Sequence, residues 1–328
     1  MFRNKRILVT GGTGSWGYEL IRQILPQNPK EIIVFSRNES AQVAMKRAFE
    51  DERLSFCIGD IRDREALISA CQDVDYVYHL AALKHVPVCE DQPYEALKTN
   101  VHGTQNVIDA AIENRVKKVI YISTDKAANP SNFYGMTKAI GEKLIVHANL
   151  LRTETKFVCV RGGNVLGTNG SVIHLFLKQI QEKNQIGITD KNMTRFFLTL
   201  QDAISLLFKA SEDSLGGEIF VMTMPTCKIM DLADVLIDSM GKSNVEIIEF
   251  GIRPGEKIHE ILLTEFESLS TVVYDDQYLV ILPTLDIPGL KAAYAQYPMV
   301  QVNSFCSSQS LMTKEQIKLM LIKGGFLT

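Results

Sequence analysis

Short apolar runs alternate with amphipathic stretches along the first half of the chain. The apolar runs predict strands, and apolar positions three or four residues apart predict helices. The predicted strands are Arg6–Thr10, Glu31–Phe35, Leu54–Ile58, Asp75–Leu80, Lys118–Ser123 and Lys156–Val160. The predicted helices are Tyr18–Leu25, Glu39–Glu50, Arg64–Cys71, Tyr94–Asn114 and Tyr134–Leu150. This alternation predicts an α/β fold with a doubly wound parallel sheet and right-handed crossovers.

The second half of the chain is less regular. It follows the glycine-rich segment 161–170, which we interpret as a hinge. Further helices are predicted at Val172–Glu182, Leu200–Ala210, Met230–Met240 and Thr313–Ile322. We therefore expect a main lobe formed by residues 1–165 with roughly 196–225. A smaller, interleaved C-terminal lobe would comprise residues 166–195 and 226–328.

A glycine-rich turn links the first predicted strand to the first predicted helix. Gly11, Gly14 and Gly17 are spaced as G-x-x-G-x-x-G. Glycines at this position let backbone N–H groups approach a pyrophosphate at the helix N-terminus, where the helix dipole favours anions. The main lobe is thus expected to be a Rossmann-type dinucleotide-binding domain. The expected cofactor contacts in the turn are Gly11, Thr13, Gly14, Ser15, Trp16 and Gly17.

The end of the second predicted strand bears on the choice of dinucleotide. Ser36 and Arg37 stand where a site selective for NAD usually carries an acidic residue. Because an arginine can accommodate a 2′-phosphate, NADP is favoured over NAD as the cofactor. The alternative is that Arg37 is only a solvated loop charge.

Three residues near the fifth predicted strand suit alcohol oxidation. Thr124 ends this strand, and Tyr134 and Lys138 are four residues apart on the next helix, which places both side chains on one face. An ammonium group beside a phenol favours the phenolate, so Tyr134 is expected to remove an alcohol proton near neutral pH. The Thr124 hydroxyl could bind the same substrate oxygen.

Composition narrows the possible classes of protein. The 328 residues are 46% hydrophobic and 22% charged, with a net charge of −3, which gives no basic surface for nucleic acid. Six cysteines lack C-x-x-C pairs and metal-ligand spacing, so no metal site and no disulfide framework are expected. No apolar run reaches the roughly 18 residues of a spanning helix. The sequence thus predicts a cytoplasmic protein without membrane contact.

Several sequence blocks carry a resemblance to a known family. They are Gly59–Asp63, Ala81–Val86, Ser123–Lys126, Arg161–Asn164, Thr189–Arg195 and Gly251–Glu260. With the glycine turn, Tyr134 and Lys138, they make the chain resemble the extended short-chain dehydrogenase/reductases. More narrowly, it resembles the bacterial UDP-N-acetylglucosamine 4,6-dehydratases. The resemblance runs from residue 5 to about residue 265.

The resemblance implies a reaction and a role for each catalytic residue. A 4,6-dehydratase oxidises C4 of the hexose, eliminates water across C5–C6 and returns the hydride to C6, so its cofactor stays tightly bound and is recycled. Tyr134, tuned by Lys138, would be the base for the C4 hydroxyl, and Thr124 would polarise the C4 oxygen. Asp125 would be the acid at C6. Lys126 would be the base at C5, which requires that its pKa fall.

The resemblance also implies binding residues outside the catalytic set. Further cofactor contacts would be Ser36, Arg37, Asp60, Ile61, Ala81, Ala82, Lys84 and Asn100, together with the catalytic Tyr134 and Lys138. Contacts to the UDP-sugar would be Lys84, Asn164, Thr189, Arg195, Arg253 and Glu256. The arginines suit the phosphates, because guanidinium groups bind phosphate oxygens well.

Two other activities stay open at this point. A UDP-hexose epimerase uses the same Thr, Tyr and Lys but needs no acid or base for elimination, so the Asp125–Lys126 pair argues against it. A non-catalytic sensor that binds a dinucleotide without turnover is disfavoured by the intact Tyr134 and Lys138. Within the dehydratases, inversion at C5 is favoured over retention. A homo-oligomer is expected.

Overall fold

A computed structural model describes residues 1–151, 153–168 and 171–327. Its strands are β1 (Arg6–Thr10), β2 (Glu31–Ser36), β3 (Leu54–Ile58), β4 (Tyr76–His79), β5 (Lys118–Thr124), β6 (Lys156–Gly162), β7 (Asn164–Val165), β8 (Gln185–Ile188), β9 (Thr194–Leu198), β10 (Ile219–Met222), β11 (Thr226–Lys228), β12 (Glu246–Glu249), β13 (Ile261–Leu263), β14 (Thr271–Val273), β15 (Tyr278–Ile281) and β16 (Phe305–Cys306). Its α-helices are α1 (Ser15–Ile24), α2 (Glu39–Phe49), α3 (Arg64–Ala70), α4 (Val86–Asp91), α5 (Pro93–Leu97), α6 (Gly103–Glu113), α7 (Phe133–Ala148), α8 (Val172–Lys183), α9 (Leu200–Asp213), α10 (Ile229–Ser239), α11 (Glu265–Ser268), α12 (Leu290–Tyr294) and α13 (Lys314–Lys323).

Nine strands form one large sheet in the order β14-β15-β10-β6-β5-β4-β1-β2-β3. The pairs from β3 to β10 are parallel, whereas β15 runs antiparallel to both β10 and β14. The chain moves outward in one direction from β1 to β3 and in the other from β4 onward. A crevice therefore opens between β1 and β4 at the carboxyl ends of the strands, where such sheets bind ligands.

The predicted α/β fold with a doubly wound parallel sheet is confirmed. The large sheet also includes β14 and β15, which the sequence prediction had placed in the C-terminal lobe. A second buried apolar cluster lies outside the large sheet, between α8, α10 and α13. The exact division into two lobes stays a prediction.

Predicted and observed elements agree to within a few residues in the first half, with one interruption. The single helix predicted over 94–114 is instead α5, a π-helical turn at Lys98–His102 and α6. The predicted hinge 161–170 is described up to Thr168, and its last two residues lie outside the described residues. Within the described ranges, no helix combines the length and apolar character that a membrane crossing requires.

Candidate active site

The glycine turn after β1 is shaped by close backbone contacts. Gly11 has φ +68°, and a Cβ on it would lie 2.8 Å from the backbone of Ala81, which follows β4. A Cβ on Gly17 would lie 2.2 Å from the Gly12 carbonyl oxygen. Gly14 caps α1 and, as a glycine, contributes no side-chain hydrogen bond at the start of the helix. These residues fit a dinucleotide pyrophosphate, because only glycines allow the turn to come so near β4.

A cavity of about 700 Å³ begins at this turn and extends past the ends of β4 and β5 to β8 and β9. It contains most of the predicted site residues in one continuous wall. Those lining it are Gly11, Gly14, Ser15, Trp16, Gly17, Ala81, Ala82, Lys84, Thr124, Lys126, Tyr134, Lys138, Asn164, Thr189, Arg195, Arg253 and Glu256.

A smaller cavity of about 170 Å³ lies at the ends of β2 and β3. It includes Thr13, Ser36, Arg37, Asp60 and Ile61, all of which were predicted as cofactor contacts. The Arg37 guanidinium lies 3.8 Å from the Asp60 carboxylate. Burial alone would raise the pKa of Asp60, but its hydrogen bonds with Arg62 and the charges of Arg62 and Arg37 lower it overall.

Two predicted site residues contribute to neither cavity wall. The Asn100 amide bonds to the backbone N and O of Leu83 at 2.8 and 2.9 Å and to Thr137 at 3.0 Å, so it ties the loop after β4 to α7. Asp125 is fully buried, and its Oδ1 accepts hydrogen bonds from Thr124 at 2.9 Å and from Lys126 at 3.0 Å. Both residues thus contact the groups that face the cavity.

The start of α7 packs directly on the turn that follows β5. Asn132 caps α7 by accepting a hydrogen bond from the Gly135 N–H at 2.8 Å. A Cβ on Gly135 would lie 2.3 Å from the Lys126 carbonyl oxygen, so a glycine is required for this approach. The packing brings Tyr134 next to Thr124 and Lys126, although ten and eight residues separate them in sequence.

The expectation that the pKa of Tyr134 is lowered is wrong. Burial raises this pKa to about 12, against a lowering by the Lys126 charge and by a hydrogen bond between Tyr134 and Thr124, while the Asp125 charge raises it further. The cation at Lys138 can be located from the sequence, whereas the removal of the phenol from water cannot. In the structure the charge that lowers the pKa of Tyr134 comes from Lys126.

Lys138 lines the cavity beside another aromatic ring. Its Nζ is 3.8 Å from the ring centroid of Tyr121, and the side chain is almost fully buried. Burial lowers the pKa of Lys138 to about 7, although the neighbouring Glu142 raises it. Lys138 therefore titrates close to neutral pH in this environment.

Lys126 lies between oxygen atoms from three different parts of the chain. Its Nζ is 3.0 Å from Asp125 Oδ1, 3.4 Å from Asn164 Oδ1 and 3.5 Å from Glu260 Oε1. Burial lowers the pKa of Lys126, but the charges of Asp125 and Glu260 outweigh burial and raise it overall. The fall in pKa that a base at C5 requires is therefore not observed. The fixed oxygens favour the ammonium form.

The predicted UDP contacts differ in how many hydrogen bonds they make within the protein. Arg195 donates to the carbonyl oxygens of Thr194, Lys257 and Ile258 at 2.7, 2.9 and 3.1 Å, so it fixes the backbone of the block 251–260. Glu256 accepts a hydrogen bond from Thr189 at 3.4 Å. Arg253, in contrast, is exposed at the cavity rim, where it is accessible to a phosphate.

Sequence reasoning missed one wall of the cavity and one buried carboxyl group. The wall comes from α8 and β8, with Val172, Phe176 and Gly187 facing the cavity. The available signal was the helix that follows the glycine-rich hinge. The carboxyl group is that of Glu260, which ends the block 251–260 but was given no role.

The fold and this site together define a class of protein. A glycine turn at the switch point of the sheet, with Thr124, Tyr134 and Lys138 beside it, is the arrangement of an extended short-chain dehydrogenase/reductase. A family model described as polysaccharide biosynthesis protein matches residues 7–282. The chain belongs to that family.

Curated relatives include enzymes of two activities. The chain is 44% identical over 284 residues to the UDP-N-acetylglucosamine 4,6-dehydratase (inverting) of Campylobacter jejuni, which covers 85% of this chain and 84% of that protein. It is 40% identical over 303 residues to the UDP-glucose 4-epimerase of Rickettsia canadensis, with 90% and 87% coverage.

Two solved structures extend the comparison. Pen from Bacillus thuringiensis is 39% identical, with a TM-score of 0.91 and coverage of 98% of this chain and 99% of that one. The dTDP-glucose 4,6-dehydratase of Streptomyces venezuelae, solved with NAD and TYD bound, is 25% identical, with a TM-score of 0.71 and 77% and 86% coverage. The second of these structures supports the prediction of a nicotinamide cofactor.

Proposed function

We propose that this protein is a UDP-N-acetylglucosamine 4,6-dehydratase that forms a UDP-4-keto-6-deoxy-N-acetylhexosamine for surface-glycan synthesis. The observation that carries the proposal is the meeting of Thr124, Lys126 and Tyr134 in one wall of the cavity that starts at the glycine turn. This arrangement places oxidising and eliminating groups within reach of one sugar ring. The similarity to the Campylobacter jejuni enzyme supports the choice of substrate.

The residues around the glycine turn would hold a nicotinamide dinucleotide, with the pyrophosphate at the start of α1. The bound nicotinamide would supply the hydride acceptor and, later, the donor. NADP is favoured because Arg37 lies at the ribose end of the site. The oxidation at C4 must come first, since the ketone acidifies the C5 hydrogen.

Tyr134 takes the proton of the C4 hydroxyl in this proposal. The Thr124 hydroxyl donates to Asp125 at 2.9 Å and accepts the Lys126 N–H at 3.4 Å, which fixes the hydroxyl at the cavity wall that Tyr134 also lines. The positive charge of Lys126 lowers the cost of the phenolate. Lys138 supports the same site from below.

Asp125 and Lys126 carry out the elimination across C5 and C6. Lys126 faces the cavity, and its Nζ is 3.0 Å from Asp125 Oδ1. A proton passes from the Lys126 ammonium to the Asp125 carboxylate, which leaves a neutral amine to take the C5 proton and a carboxylic acid to supply the proton for the departing C6 hydroxyl. At the other end, Arg253, Asn164 and Glu256 would bind the UDP group.

The product mass tests this proposal against the epimerase. Purified protein is incubated with UDP-N-acetylglucosamine, and the nucleotide sugars are separated and weighed by mass spectrometry. A dehydratase product lacks the mass of one water, whereas a C4 epimer has the mass of the substrate. A product of unchanged mass would replace the proposed function with the epimerase. Inversion at C5 and a homo-oligomeric state are further parts of the proposal, and each requires a separate test.

A further inference from the structure

Glu260 is a buried carboxyl group that the proposed reaction does not use. Glu260 as a whole is only 2% exposed to solvent. The Glu260 N–H donates to Ser307 Oγ at 2.9 Å, and the Ser307 N–H donates to the Glu260 carbonyl oxygen at 2.9 Å. Ser307 is itself fully buried. These two hydrogen bonds with Ser307 therefore fix the backbone of Glu260. The direction of the Glu260 side chain then depends on the groups that surround its carboxylate.

Those groups are the cations around the catalytic turn. Glu260 Oε1 lies 3.5 Å from Lys126 Nζ and 3.8 Å from Arg195 Nε. Glu260 Oε2 lies 3.9 Å from Lys257 Nζ and has no hydrogen-bond partner among the described residues. A buried carboxylate that is not fully hydrogen-bonded is costly for folding, so its presence calls for a function.

Arg195 and Lys257 have other strong contacts. Arg195 donates three hydrogen bonds to backbone carbonyl groups, and Lys257 Nζ donates to the Ala128 carbonyl oxygen at 3.2 Å. Lys126, whose side chain reaches the cavity, is the closest cation to Glu260. The carboxylate is thus directed at the one of these three cations that belongs to the catalytic turn.

We propose that Glu260 is a positioning residue that holds the Lys126 ammonium in place and in its charged form at the wall of the cavity. This inference rests on the proposed function, because it concerns the protonation state of the residue that acts at C5. It assigns a role to the last residue of the block 251–260.

The charges that face Lys126 decide the expected effect. Asp125 and Glu260 favour the ammonium from two sides, whereas Arg195 of β9 and Lys257 of the block 251–260 oppose it. The Tyr134 phenol faces it from α7 and is neutral at ordinary pH. Replacing Glu260 by glutamine removes one of the two negative charges and leaves the others. Lys126 will then lose its proton at lower pH.

A titration without substrate tests the inference directly. Protein labelled with 13C at the lysine ε-carbon is titrated by NMR, and the Lys126 resonance is assigned by its loss in Lys126→Arg. In Glu260→Gln the midpoint is expected to move to lower pH than in the wild-type protein. An unchanged midpoint would overturn the proposal.

Glu256→Gln is the matched control, since Glu256 contacts Thr189 and Arg195 instead of Lys126. Its Lys126 midpoint is expected to equal that of the wild type. If Glu260→Gln does not fold, Glu260→Asp takes its place, because the shorter side chain keeps the charge but moves it away from Lys126. A smaller shift of the Lys126 midpoint in the same direction is then expected. No shift in a folded Glu260→Asp would also count against the proposal.

An activity arm separates this inference from the proposed function. The dehydration rate is measured against pH in the wild-type protein and in Glu260→Gln. The midpoint that reports Lys126 ionisation should lie at lower pH in Glu260→Gln than in the wild type. A purely structural role would change the rate at every pH without moving this midpoint. If the wild-type protein dehydrates no UDP-N-acetylglucosamine, the proposed function fails, while the NMR titration still decides the role of Glu260.

Discussion

Tyr134 and Lys126 acquire their chemistry from each other as much as from their own side chains. Burial makes the phenol a weak acid, and the Lys126 charge counteracts part of that effect. Two carboxylates in turn keep Lys126 charged. In the proposed mechanism, proton removal at C4 and at C5 therefore depends on the same small group of charges. This coupling is the reason that single substitutions here should change pH profiles as well as rates.

Tyr134→Phe removes the proposed base while it preserves the ring. We expect turnover to fall by about 10²–10⁴-fold, the usual value of a general base, with cofactor affinity nearly unchanged. Because the pKa of Tyr134 is about 12, wild-type activity should rise with pH above neutrality as the phenolate becomes more populated. Steady-state kinetics and cofactor titration measure these effects.

Tyr18→Phe is the control for this substitution, since Tyr18 is an exposed residue of α1 whose ring contacts Phe49. It should keep full activity. Equal activity in Tyr134→Phe and Tyr18→Phe would contradict the assigned role of Tyr134.

The sequence predicted which side chains meet at the cavity but not their ionisation. Thr124, Tyr134 and Lys138 could be found because their spacing on a strand end and a helix face is encoded locally. The pKa of Tyr134 could not be predicted, because it depends on burial and on Lys126, which tertiary packing brings close. Glu260 was missed for the same reason, since 134 residues separate it from Lys126.

At the scale of elements, the site depends on two glycines that allow helices to approach strand ends. Gly17 lets α1 start against the turn after β1, and Gly135 lets α7 start against the turn after β5. Neither contact could form with a side chain present. The positions of the cofactor turn and of Tyr134 are thus set by steric requirements that are visible in the sequence as glycines.

Gly11→Ala tests the turn itself, with Gly241→Ala as a matched control. Both glycines have positive φ, so each alanine should cost about 1–2 kcal/mol in backbone strain. Only at Gly11 would the new Cβ also meet the backbone of Ala81, whereas nothing lies within 4 Å at Gly241. Isothermal titration should show cofactor affinity reduced by at least about tenfold in Gly11→Ala, which is about 1.4 kcal/mol, and unchanged in Gly241→Ala. Equal affinities in both variants would contradict the described turn.

Arg161 links three elements through a buried ion network. It bonds to Glu142 of α7 at 2.7 Å, to Glu267 of α11 at 2.8 Å and to the Leu262 carbonyl oxygen at 3.0 Å. Arg161→Met should destabilise the protein by about 3–5 kcal/mol, because two carboxylates lose their cation. Chemical denaturation measures this loss.

Arg64→Met is the surface counterpart, since Arg64 pairs with Glu113 at 3.1 Å but is about half exposed. Its cost should stay below about 1 kcal/mol. Burial raises the pKa of Glu267, but Arg161 outweighs burial and lowers it overall, so wild-type stability from this network should fade as the pH falls into the acid range. Similar losses in Arg161→Met and Arg64→Met would contradict the described network.

The sequence pattern predicted regular elements well and irregular ones poorly. Strands β1 to β6 have short apolar runs that are typical of buried strands, and the sequence predicted all six of them. The π-helical turn at Lys98–His102 was missed, because its residues have ordinary helical periodicity and its Asn100 is held by tertiary hydrogen bonds. Strands β14 and β15 were missed because they join the large sheet only through antiparallel pairing. In this pairing β15 lies beside β10, and β14 lies beside β15.

At the scale of the whole molecule, the C-terminal helix closes the second apolar cluster. Ile317, Met320 and Leu321 of α13 are buried in it. The Phe326 ring packs beyond them against the glycine-rich hinge, where a Cβ on Gly167 would lie 2.3 Å from its ζ-carbon. The end of the chain therefore supports a segment that lines the substrate end of the cavity.

Phe326→Ala tests this support. We expect a loss of roughly 1–3 kcal/mol in stability and a several-fold higher KM for the nucleotide sugar, with cofactor affinity unchanged. Phe266→Ala, at an exposed phenylalanine of α11, should change stability by less than about 0.5 kcal/mol. Thermal unfolding and substrate kinetics measure both variants, and an unchanged KM in Phe326→Ala would contradict a link between α13 and the substrate end.

Proton NMR of the purified protein with UDP-N-acetylglucosamine in deuterated water tests the central claim most directly. The proposed mechanism predicts a new C6 methyl signal that grows with time and carries deuterium at C5, and the ring couplings should report an inverted C5. The methyl signal would show elimination with hydride return, and the deuterium would show that a protein base exchanged the C5 proton with solvent. A C4 epimer with an intact C6 hydroxymethyl group would contradict the dehydratase and assign the same Thr124, Tyr134 and Lys138 to an epimerase.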